Sequence, residues 1–520
     1  MPRHAIGLDF GTSSARALLV DVETAETASA EHEYLRGTLD GNSPTVSRQD
    51  ADDYLDAAKS LLSWAARQCS SVVGIGVAAT ASTPIPVDGQ SGPLSRRYPD
   101  NPDAYAWLWK DHSSQEEADE ITHFFAKNDP TRLARVGAYY AEWFWAKALR
   151  CARRSPAVFD VAATWLEQGD FITAALTGTV VRGAGAAGHK GLCFNGYPTD
   201  DLLANLDPRL GVLRRSMGQK VVSSSEVCGR LTEEWAQRTG IAAGTPVAAA
   251  GIDAHVGAVG AGVCEDRLCM VLGTSACHIA VAPYTLGLES VAGISGIADD
   301  SVLPGMFGLE AGQAAFGDLL EWAARTSGVS QEELTRAAEA LPAGSNGTLV
   351  VDFHSGNRCP YADANLSGAV MGLTLKSTTS ETYRACVESL AMGIRQIVGL
   401  FEASGIRFVD LIACGGVADK NPFALQTIAD VTGKEVFRSL SDQTCALGAA
   451  IFGAVAGGAF GSAEEGQAAL CRLAANPVEP EPKRHARYND LFPIYLDAQR
   501  LMAVETDLAK RLEAFRGRPC

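Results

Sequence analysis

The segment GLDFGTSS, residues 7–14, decides the fold prediction for this chain. It follows a short apolar run, places Gly, Thr and Ser together, and is followed by apolar alternation over residues 15–20. This pattern predicts a β-hairpin with a turn made of small residues. Backbone N–H groups and hydroxyls in such a turn can approach an anion closely, because no large side chain intervenes.

The segment VLGTS, residues 271–275, repeats the pattern just past the middle of the chain and leads into a second alternating run at residues 276–282. A single Gly-Thr-Ser turn is a common hairpin sequence with no necessary function. Two copies, one in each half, together with a carboxylate at Asp9 in the first strand, favour a different interpretation. They predict two lobes that hold one polyphosphate between them.

Length and charge restrict the function classes. A chain of 520 residues with 47% hydrophobic residues is too long for one compact core, so two large domains are expected. The formal charge of −17 argues against nucleic acid and anionic membranes as partners, because both are themselves negatively charged. A phosphate ligand is not excluded, because its binding is decided locally.

Cysteine usage and hydropathy predict a reduced, cytoplasmic protein with no membrane partner. The thirteen cysteines are scattered without a C-x-x-C pair, and many lie in apolar contexts. No basic-then-apolar leader precedes the first strand. The most apolar stretches, residues 247–263 and 446–460, are short for a membrane span and contain Gly, Asp or His.

Alternating strand and helix patterns predict α/β layers with mixed sheets. A lobe boundary is expected near residues 253–265, and a Pro-rich linker at 474–487. Strand patterns cover residues 4–10, 72–78, 246–250, 268–272, 348–351, 409–413 and 434–437, and helical periodicity covers 51–66, 311–324, 380–402, 422–431 and 491–515.

The segment GIDAH, residues 251–255, follows an apolar strand and opens a Gly/Ala-rich helix. Ligands of α/β sheets bind at this edge, so Asp253 could accept a proton from a hydroxyl nucleophile. A helix N-cap is the alternative role for Asp253 and is compatible with the first. His255 is expected to be structural.

Further segments predict pockets for a base and a polyol. Gly415 and Gly416 at a strand-to-helix turn could let a flat base or ribose lie against the backbone. Glu310 and Gln313, at the expected entry to an amphipathic helix, would serve as a cap or a ligand contact. Lys190 would face solvent or reach a polyol. Aromatic residues are dense in 107–112 and 139–145, which suits either a sugar pocket or core packing.

Taken together, these segments resemble the FGGY-type carbohydrate kinases of the sugar kinase, actin and heat-shock chaperone superfamily, and within them the ribulokinase group. The resemblance covers essentially the whole chain. WKDH and GLEAGQ favour the ribulokinase group over xylulose or glycerol kinases. The matching segments are GLDFGTSSARALLVD (7–21), WKDH (109–112), EWFWAK (142–147), AGHK (187–190), GIDAH (251–255), GTSACH (273–278), GLEAGQ (308–313), GNR (356–358) and CALGAAIFGAV (445–455).

The resemblance implies an α/β, two-lobed actin-like ATPase fold with a duplicated ribonuclease-H-like core and a cleft between the lobes. Residues 1–256 would form the sugar-binding lobe, which carries the first hairpin and the catalytic Asp at its end. Residues 257–475 would form the ATP-binding lobe, and residues 476–520 a linker and C-terminal helix. A homodimer is left open.

The resemblance also implies ATP-dependent phosphorylation of the terminal O5 hydroxyl of a ketopentose, L-ribulose above all, with Asp253 as general base. Asp9, together with Asp253, would hold Mg²⁺. The nucleotide-binding residues would be Gly11, Thr12, Ser13, Ser14, Gly273, Thr274, Ser275, Gln313, Gly415 and Gly416. The sugar-binding residues would be Lys190, Glu310, Trp109, Lys110, Glu142, Ala81 and Asp253.

One departure leaves the sugar open. Residues 78–81 read Ala-Ala-Thr-Ala, where ribulokinases tend to have an acid or a bulkier polar residue. D-ribulose, xylulose or a pentitol therefore remain alternative substrates. An actin- or chaperone-like ATPase switch is the alternative from another class, and the polar and aromatic pocket segments argue against it.

Overall fold

The structure is a computed structural model and describes residues 3–40 and 45–513. In these residues the strands β1 to β22 are His4–Phe10, Ser14–Asp21, Thr27–Glu33, Thr38–Asp40, Ser47–Gln49, Val72–Ala79, Pro84–Val87, Ala106–Trp107, Thr164–Glu167, Arg182–Gly183, Val221–Val222, Val227–Arg230, Pro246–Ala248, Gly251–Ile252, Arg267–Leu272, Ala276–Pro283, Gly296–Asp299, Met306–Gln313, Leu349–Val351, Ala369–Met371, Asp410–Cys414 and Glu435–Arg438.

Helices cover both large sheets. In the same residues α1 to α19 are Ala51–Gln68, Gln115–Asn128, Pro130–Ala134, Phe144–Arg154, Pro156–Phe159, Gln168–Thr177, Asp200–Leu206, Pro208–Ser216, Glu233–Thr239, Asp253–Ala261, Gly317–Ser327, Gln331–Glu339, Thr379–Ala403, Gly416–Lys420, Pro422–Thr432, Thr444–Ala456, Ala463–Leu470, Pro482–Arg500 and Leu508–Glu513. None of these described helices is both long enough and apolar enough to cross a bilayer.

The two large sheets repeat one topology. In the first, the order is β12-β13-β6-β1-β2-β3, with β14 also paired to β6. In the second, the order is β17-β18-β16-β15-β21-β22. Each contains an antiparallel hairpin whose first strand, β1 or β15, pairs in parallel with a later strand, β6 or β21. The predicted hairpins are therefore confirmed, and they occupy equivalent places in two related sheets.

The structure corrects two element predictions. Residues 311–324 are not one helix, because residues 306–313 form β18 between β16 and β17, and α11 begins only at Gly317. Most residues of β18 are buried, because the strand pairs with β16 on one side and β17 on the other, so no period-2 burial pattern distinguishes it from the helix that follows. The last long helix, α18, begins at Pro482 and not at residue 491 as predicted, because proline fits the first helical turn. Residues 514–515 of the predicted helix lie outside the described residues.

Glycines allow helices α10 and α16 to cross at very close range between the two sheets. A Cβ on Gly448 of α16 would lie 1.9 Å from Val256 O, and a Cβ on Gly260 of α10 would lie 2.0 Å from Thr444 O. On its other side, α16 packs on the first sheet, where a Cβ on Gly76 would lie 1.8 Å from Ala449 O. These backbone contacts explain why the segment CALGAAIFGAV contains so many small residues.

Replacing Gly448 with alanine is expected to destabilise the protein by about 3 kcal/mol or more, the upper range for overpacking, because neither backbone can give way locally. Gly399→Ala in α13 is the matched control. A Cβ at Gly399 meets no atom within 4 Å, so this change should be neutral or stabilise the helix by about 0.5–1 kcal/mol. Thermal unfolding of the two variants measures the difference. Equal melting temperatures would contradict this account of the crossing.

Candidate active site

Two carboxylates from neighbouring chain segments meet at the carboxyl edge of the first sheet. Asp9 on β1 is aligned with Ala78 on β6, and Gly251 on β14 pairs with the same residue from the other side. Helix α10 then begins at Asp253, so this side chain follows β14 directly. The predicted metal-binding residue and the predicted base are therefore close together beside the first hairpin.

Burial perturbs both carboxylates, and the charge of Asp253 perturbs Asp9 as well. Burial, reinforced by the charge of Asp253, raises the pKa of Asp9 to about 7, while Arg16 opposes the change. Burial also raises the pKa of Asp253 to about 6, although the Ala254 N–H favours the ionised form. Asp253 Oδ1 accepts that hydrogen bond at 2.7 Å. A base with a pKa near 6 is mostly ionised at neutral pH and still takes up a proton readily.

The chemistry of this pair suits Mg²⁺. No group of three or more His, Cys, Asp or Glu that could form an all-protein metal cage occurs in the described residues. Mg²⁺ typically uses one or two carboxylates and completes its shell with waters and phosphate oxygens. Within the described chain, the Asp9 carboxylate accepts no hydrogen bond, so its oxygens are free for such a role. The residues present therefore fit a magnesium ion brought together with a phosphate.

A charged network lies next to Asp253 and consists of Lys190, Glu310 and His255. Lys190 Nζ lies 3.4 Å from Glu310 Oε2, and His255 Nε2 lies 3.2 Å from the same oxygen. The ring of His255 also lies 3.2 Å from Ser301 O through Nδ1. Burial favours the neutral acid, but Lys190 and His255 prevail and hold the pKa of Glu310 well below its usual value. Glu310 is therefore an ionised, oriented acceptor, and His255 positions it.

Glu310 lies on strand β18 rather than at a helix entry, which corrects its expected placement. The strand brings it from the second half of the chain to residues of the first half. Lys190 is also placed by aromatic residues. Its ammonium lies 5.0 Å from the centre of the Trp143 ring, and its carbonyl accepts a hydrogen bond of 2.6 Å from Tyr139. The aromatic segment 139–145 therefore supports the polar network.

Lys147 is a positioning residue, which the sequence indicates only as the last residue of the segment EWFWAK. It is fully buried, and its ammonium donates to the carbonyls of Ser82 and Leu108 at 2.8 Å each and to that of Trp107 at 3.3 Å. These carbonyls belong to the two loops that carry the predicted sugar-binding residues Ala81 and Trp109. A lysine that follows an aromatic run in a buried helix is the signal that could have indicated this role.

The loop at Ala81 borders a small cavity together with Gly251 and Ile252. Glu167 fixes the loop, because it accepts hydrogen bonds from Ser82 Oγ at 3.0 Å and from Thr83 N at 2.8 Å. Ala78 of the same segment is fully buried in an apolar cluster and does not face this cavity. Of the segment 78–81, residues 79–81 therefore border the open space and Ala78 does not.

The two hairpin turns are alike in detail. Gly11 N donates to Ser14 O at 3.0 Å, and Gly273 N donates to Ser275 O at 2.9 Å. Their hydroxyl residues Thr12, Ser13, Thr274 and Ser275 are half-buried or exposed. Ser14 differs, because its hydroxyl is buried and donates to Glu31 at 2.7 Å.

The predicted sugar residues of segment 109–112 lie beside the first hairpin. Trp109 Nε1 donates to Thr12 Oγ1 at 2.9 Å, which ties this segment to the predicted phosphate turn. Glu142 is paired with His112 at 3.2 Å. Lys110 is half-buried and forms no hydrogen bond or ion pair within the described chain. The structure therefore brings Trp109 to the first hairpin, whereas Glu142 is held by His112 and Lys110 has no polar partner in the described chain.

Gln313 does not face an open space. It is buried, its amide NH₂ donates to Leu390 O, and its amide oxygen lies 3.0 Å from His278 Nε2. Gly416 is exposed, and Gly415 adopts φ 93° next to the end of β15, where a Cβ would lie 2.8 Å from Leu272 O. Only glycine fits this close approach without strain.

A cavity of about 590 Å³ lies on the same side as the second hairpin. Helix α11 forms one wall, and its first N–H groups donate to the carbonyls of Gly273 and Thr274. The cavity therefore begins next to the second turn and offers an aromatic surface, polar groups and space for a nucleoside. Its lining residues are Ala315, Asp318, Leu319, Glu321, Trp322, Arg325, His354, Ser355 and Gly368.

Two family models match this chain over most of its length. The N-terminal domain of the FGGY family of carbohydrate kinases matches residues 4–260, and the C-terminal domain of the same family matches residues 268–457. Among curated proteins, the ribulokinase of Bacillus licheniformis is 36% identical, with 96% of this chain and 97% of that protein covered. The ribulokinase of Mycolicibacterium smegmatis is 35% identical, with 99% and 97% covered.

Solved structures of related architecture agree with the fold. A ligand-bound xylulose kinase from Lactobacillus acidophilus has a TM-score of 0.83 at 19% identity and covers 97% of this chain and 99% of its own. The xylulose kinase from Rhodospirillum rubrum has a TM-score of 0.82 at 24% identity, with 96% and 99% covered. At these identities the likeness concerns the fold alone. The predicted two-lobed fold with a duplicated core is confirmed.

Proposed function

Because this chain belongs to the FGGY family of carbohydrate kinases and is an ATP-dependent sugar phosphotransferase, we propose that it phosphorylates the O5 hydroxyl of a ketopentose, L-ribulose above all. The network of Lys190, Glu310 and His255 beside Asp253 carries this proposal. It presents a cation and an oriented carboxylate to a polyol, next to a carboxylate able to act as a base. Relatives named ribulokinase at 31–36% identity over nearly the full length support the choice of sugar.

In the proposed reaction, Asp253 accepts the proton of the O5 hydroxyl as its oxygen attacks the γ-phosphorus of ATP. The bond from the γ-phosphorus to the bridging oxygen breaks, and ADP leaves. The transition state of phosphoryl transfer is loose, so positioning and charge neutralisation contribute more than the base itself. The backbone N–H groups and hydroxyls of the two hairpin turns would bind the phosphates from both sides. Closure of the cleft would exclude water, which otherwise competes for the phosphoryl group.

A magnesium ion bound to the phosphates would neutralise part of their negative charge. Asp9 would hold it, through water, with Asp253 as the second carboxylate. The raised pKa of Asp9 supports this role, because a carboxylate that is costly to ionise when alone is stabilised by a cation. Adenosine would occupy the side of Gly415 and Gly416, in the half of the chain that also carries the cavity beside α11. Gln313, hydrogen-bonded on both amide atoms, would act there only as a positioning residue.

Lys190→Ala is expected to raise the KM for the pentulose by about 10–100-fold, because hydrogen bonds to charged groups contribute more than neutral ones. Glu310→Ala should act in the same direction, since it leaves Lys190 and His255 without their shared partner. The KM for ATP should change less than threefold in both variants. Steady-state kinetics with each substrate varied in turn measures the KM for the pentulose and the KM for ATP separately. The exposed Lys127→Ala is the control. A defect confined to ATP would place both residues on the nucleotide side.

The proposed function is tested by ADP release with a panel of pentuloses and pentitols. L-ribulose should give the highest kcat/KM, and turnover of ATP should depend on added sugar. Discrimination against D-ribulose or a pentitol should be modest, since one missing neutral hydrogen bond contributes about 0.5–1.5 kcal/mol. Rejection of every ketopentose would overturn the choice of sugar. Sugar-independent turnover would favour an ATPase switch instead.

A further inference from the structure

Arg358 is the last residue of the GNR segment and takes no part in the network of Lys190, Glu310 and His255. Its side chain is half-buried, and within the described chain it forms no hydrogen bond and no ion pair. An arginine carries five N–H donors in a fixed planar fork and stays charged. A half-buried guanidinium without a protein partner keeps its donors available for a ligand that displaces water.

The backbone around Arg358 is well fixed. Asn357 and Asp363 exchange two backbone hydrogen bonds of 2.9 and 2.8 Å, and Tyr361 N donates to Asn357 Oδ1 at 2.9 Å. Gly356, directly before, adopts φ 77°, and a Cβ there would lie 2.7 Å from Ala364 Cα. This closed loop presents Arg358 in one place.

The stem of Arg358 lies against the strand that carries Glu310. A Cβ on Gly312 would lie 3.1 Å from Arg358 Cδ and 3.7 Å from Arg358 Cβ. Gly312 and Glu310 are two residues apart on β18, so they share one face of the sheet. Cys277 is paired with Gly312 across the ladder. The glycine in GLEAGQ therefore makes room for the arginine next to the acid of the sugar network.

The groups near the guanidinium include Glu142 and Tyr140. Burial raises the pKa of Glu142, but the His112 pair, with help from Arg358, brings it below its usual value. Burial raises the pKa of Tyr140, which lies within the field of Glu142, Arg358 and Glu310. The Tyr140 hydroxyl is buried and has no hydrogen-bond partner within the described chain. Its ring lies 4.8 Å from that of Trp143, over which Lys190 is placed.

These contacts define the order of the side chains between Asp253 and Arg358. Glu310 acts on both Asp253 and Tyr140, whereas Arg358, whose stem lies against Gly312, acts on Tyr140 and Glu142. If the phosphorylated hydroxyl of a five-carbon sugar lies at Asp253, its middle hydroxyls meet Lys190 and Glu310. The other end of the sugar then reaches Arg358 and Tyr140. In a ketopentose that end carries the C2 carbonyl, which can only accept hydrogen bonds.

We propose that Arg358 is a specificity-determining residue that donates hydrogen bonds to the C2 carbonyl and C1 hydroxyl oxygens of the sugar, with the Tyr140 hydroxyl as a further donor. This inference rests on the proposed sugar kinase function. It adds which residues recognise the C1–C2 end of the sugar, opposite the hydroxyl that is phosphorylated. It explains both unpartnered donors with one ligand. It also explains Gly312, since a side chain there would press on the arginine.

Arg358→Met keeps most of the volume and removes the donors. It is expected to raise the KM for the ketopentose by about 10–100-fold, with the KM for ATP within threefold of wild type. Arg358→Lys should recover only part of the loss, because a lysine retains the charge without the fork. The exposed Arg407→Met is the matched control and should leave all constants unchanged.

A 1-deoxy analogue of the sugar locates the contact. In the wild type, loss of the C1 hydroxyl should raise KM about 3–10-fold, whereas Arg358→Met should bind sugar and analogue almost equally. The sugar and its 1-deoxy analogue are those of the ketose that the wild type uses best in the panel. If that ketose is not L-ribulose, the same test is made with the other sugar. An equal analogue penalty in wild type and Arg358→Met would overturn the inference. A defect confined to the KM for ATP would overturn it as well, by placing Arg358 at the phosphates.

Discussion

Asp253→Asn is expected to lower kcat by about 10²–10⁴-fold while the KM values for sugar and ATP change little, because it removes a positioned general base. Asparagine retains an oxygen that can accept the hydrogen bond from Ala254 N, so the start of α10 should keep its geometry. Stopped-flow or steady-state measurement of kcat, with a binding assay for sugar, tests the expectation. A variant with near-normal kcat would leave Asp253 only a structural role at the helix terminus.

The same carboxylate predicts the acid limb of the pH profile. Burial raises the pKa of Asp253 to about 6, so the group is protonated and unable to act as a base below that pH. The kcat/KM of the wild type should therefore fall as the pH decreases through about 6, since this quantity reports the free enzyme. The residual activity of Asp253→Asn should lack this limb. If the limb persists unchanged in the variant, another group controls it.

The fold could be predicted from sequence mainly because its local signals agree with its global arrangement. The two hairpins, the strand before Asp253 and helices such as Thr379–Ala403 all follow periodicities that the structure confirms. The helix prediction over β18 is wrong, because Ala311 and Gly312 fit a helical and a strand pattern equally well. Only the pairing of β18 with β16 and β17 makes them part of a strand. Tertiary pairing of this kind is invisible to a local period.

The site was predictable in its residue types and less so in its contacts. Glu310 and Lys190 were singled out, and the structure brings them together across 120 positions of sequence. The roles of His255 and Lys147 depend on which carbonyls and carboxylates surround them, which no spacing reveals. Ala78 shows the converse: it begins the segment in which this chain departs from ribulokinases, but in the structure it is a buried residue of β6 that does not face the sugar-side cavity. An aspartate at position 78 would therefore bury a charge rather than tune the sugar pocket.

Asp9→Asn is expected to raise the magnesium concentration needed for half-maximal rate by about 10–100-fold, the usual cost of removing a group that orients a metal through its outer shell. Asparagine is nearly isosteric but neutral, so it removes the charge that would hold the ion. The pKa of Asp253 should change little, because Asp9 has the higher pKa and is still largely uncharged at the pH where Asp253 ionises.

Two readouts separate these consequences of Asp9→Asn. A magnesium titration of kcat at saturating ATP measures the demand for metal, and the acid limb of kcat/KM, which should stay near pH 6, shows whether the base is affected. The KM for the sugar should stay within threefold, and the exposed Asp266→Asn serves as the control for a lost surface charge. A titration that overlays the wild type would show that Asp9 does not hold the metal. A shifted acid limb with an unchanged titration would leave Asp9 as an electrostatic neighbour of the base.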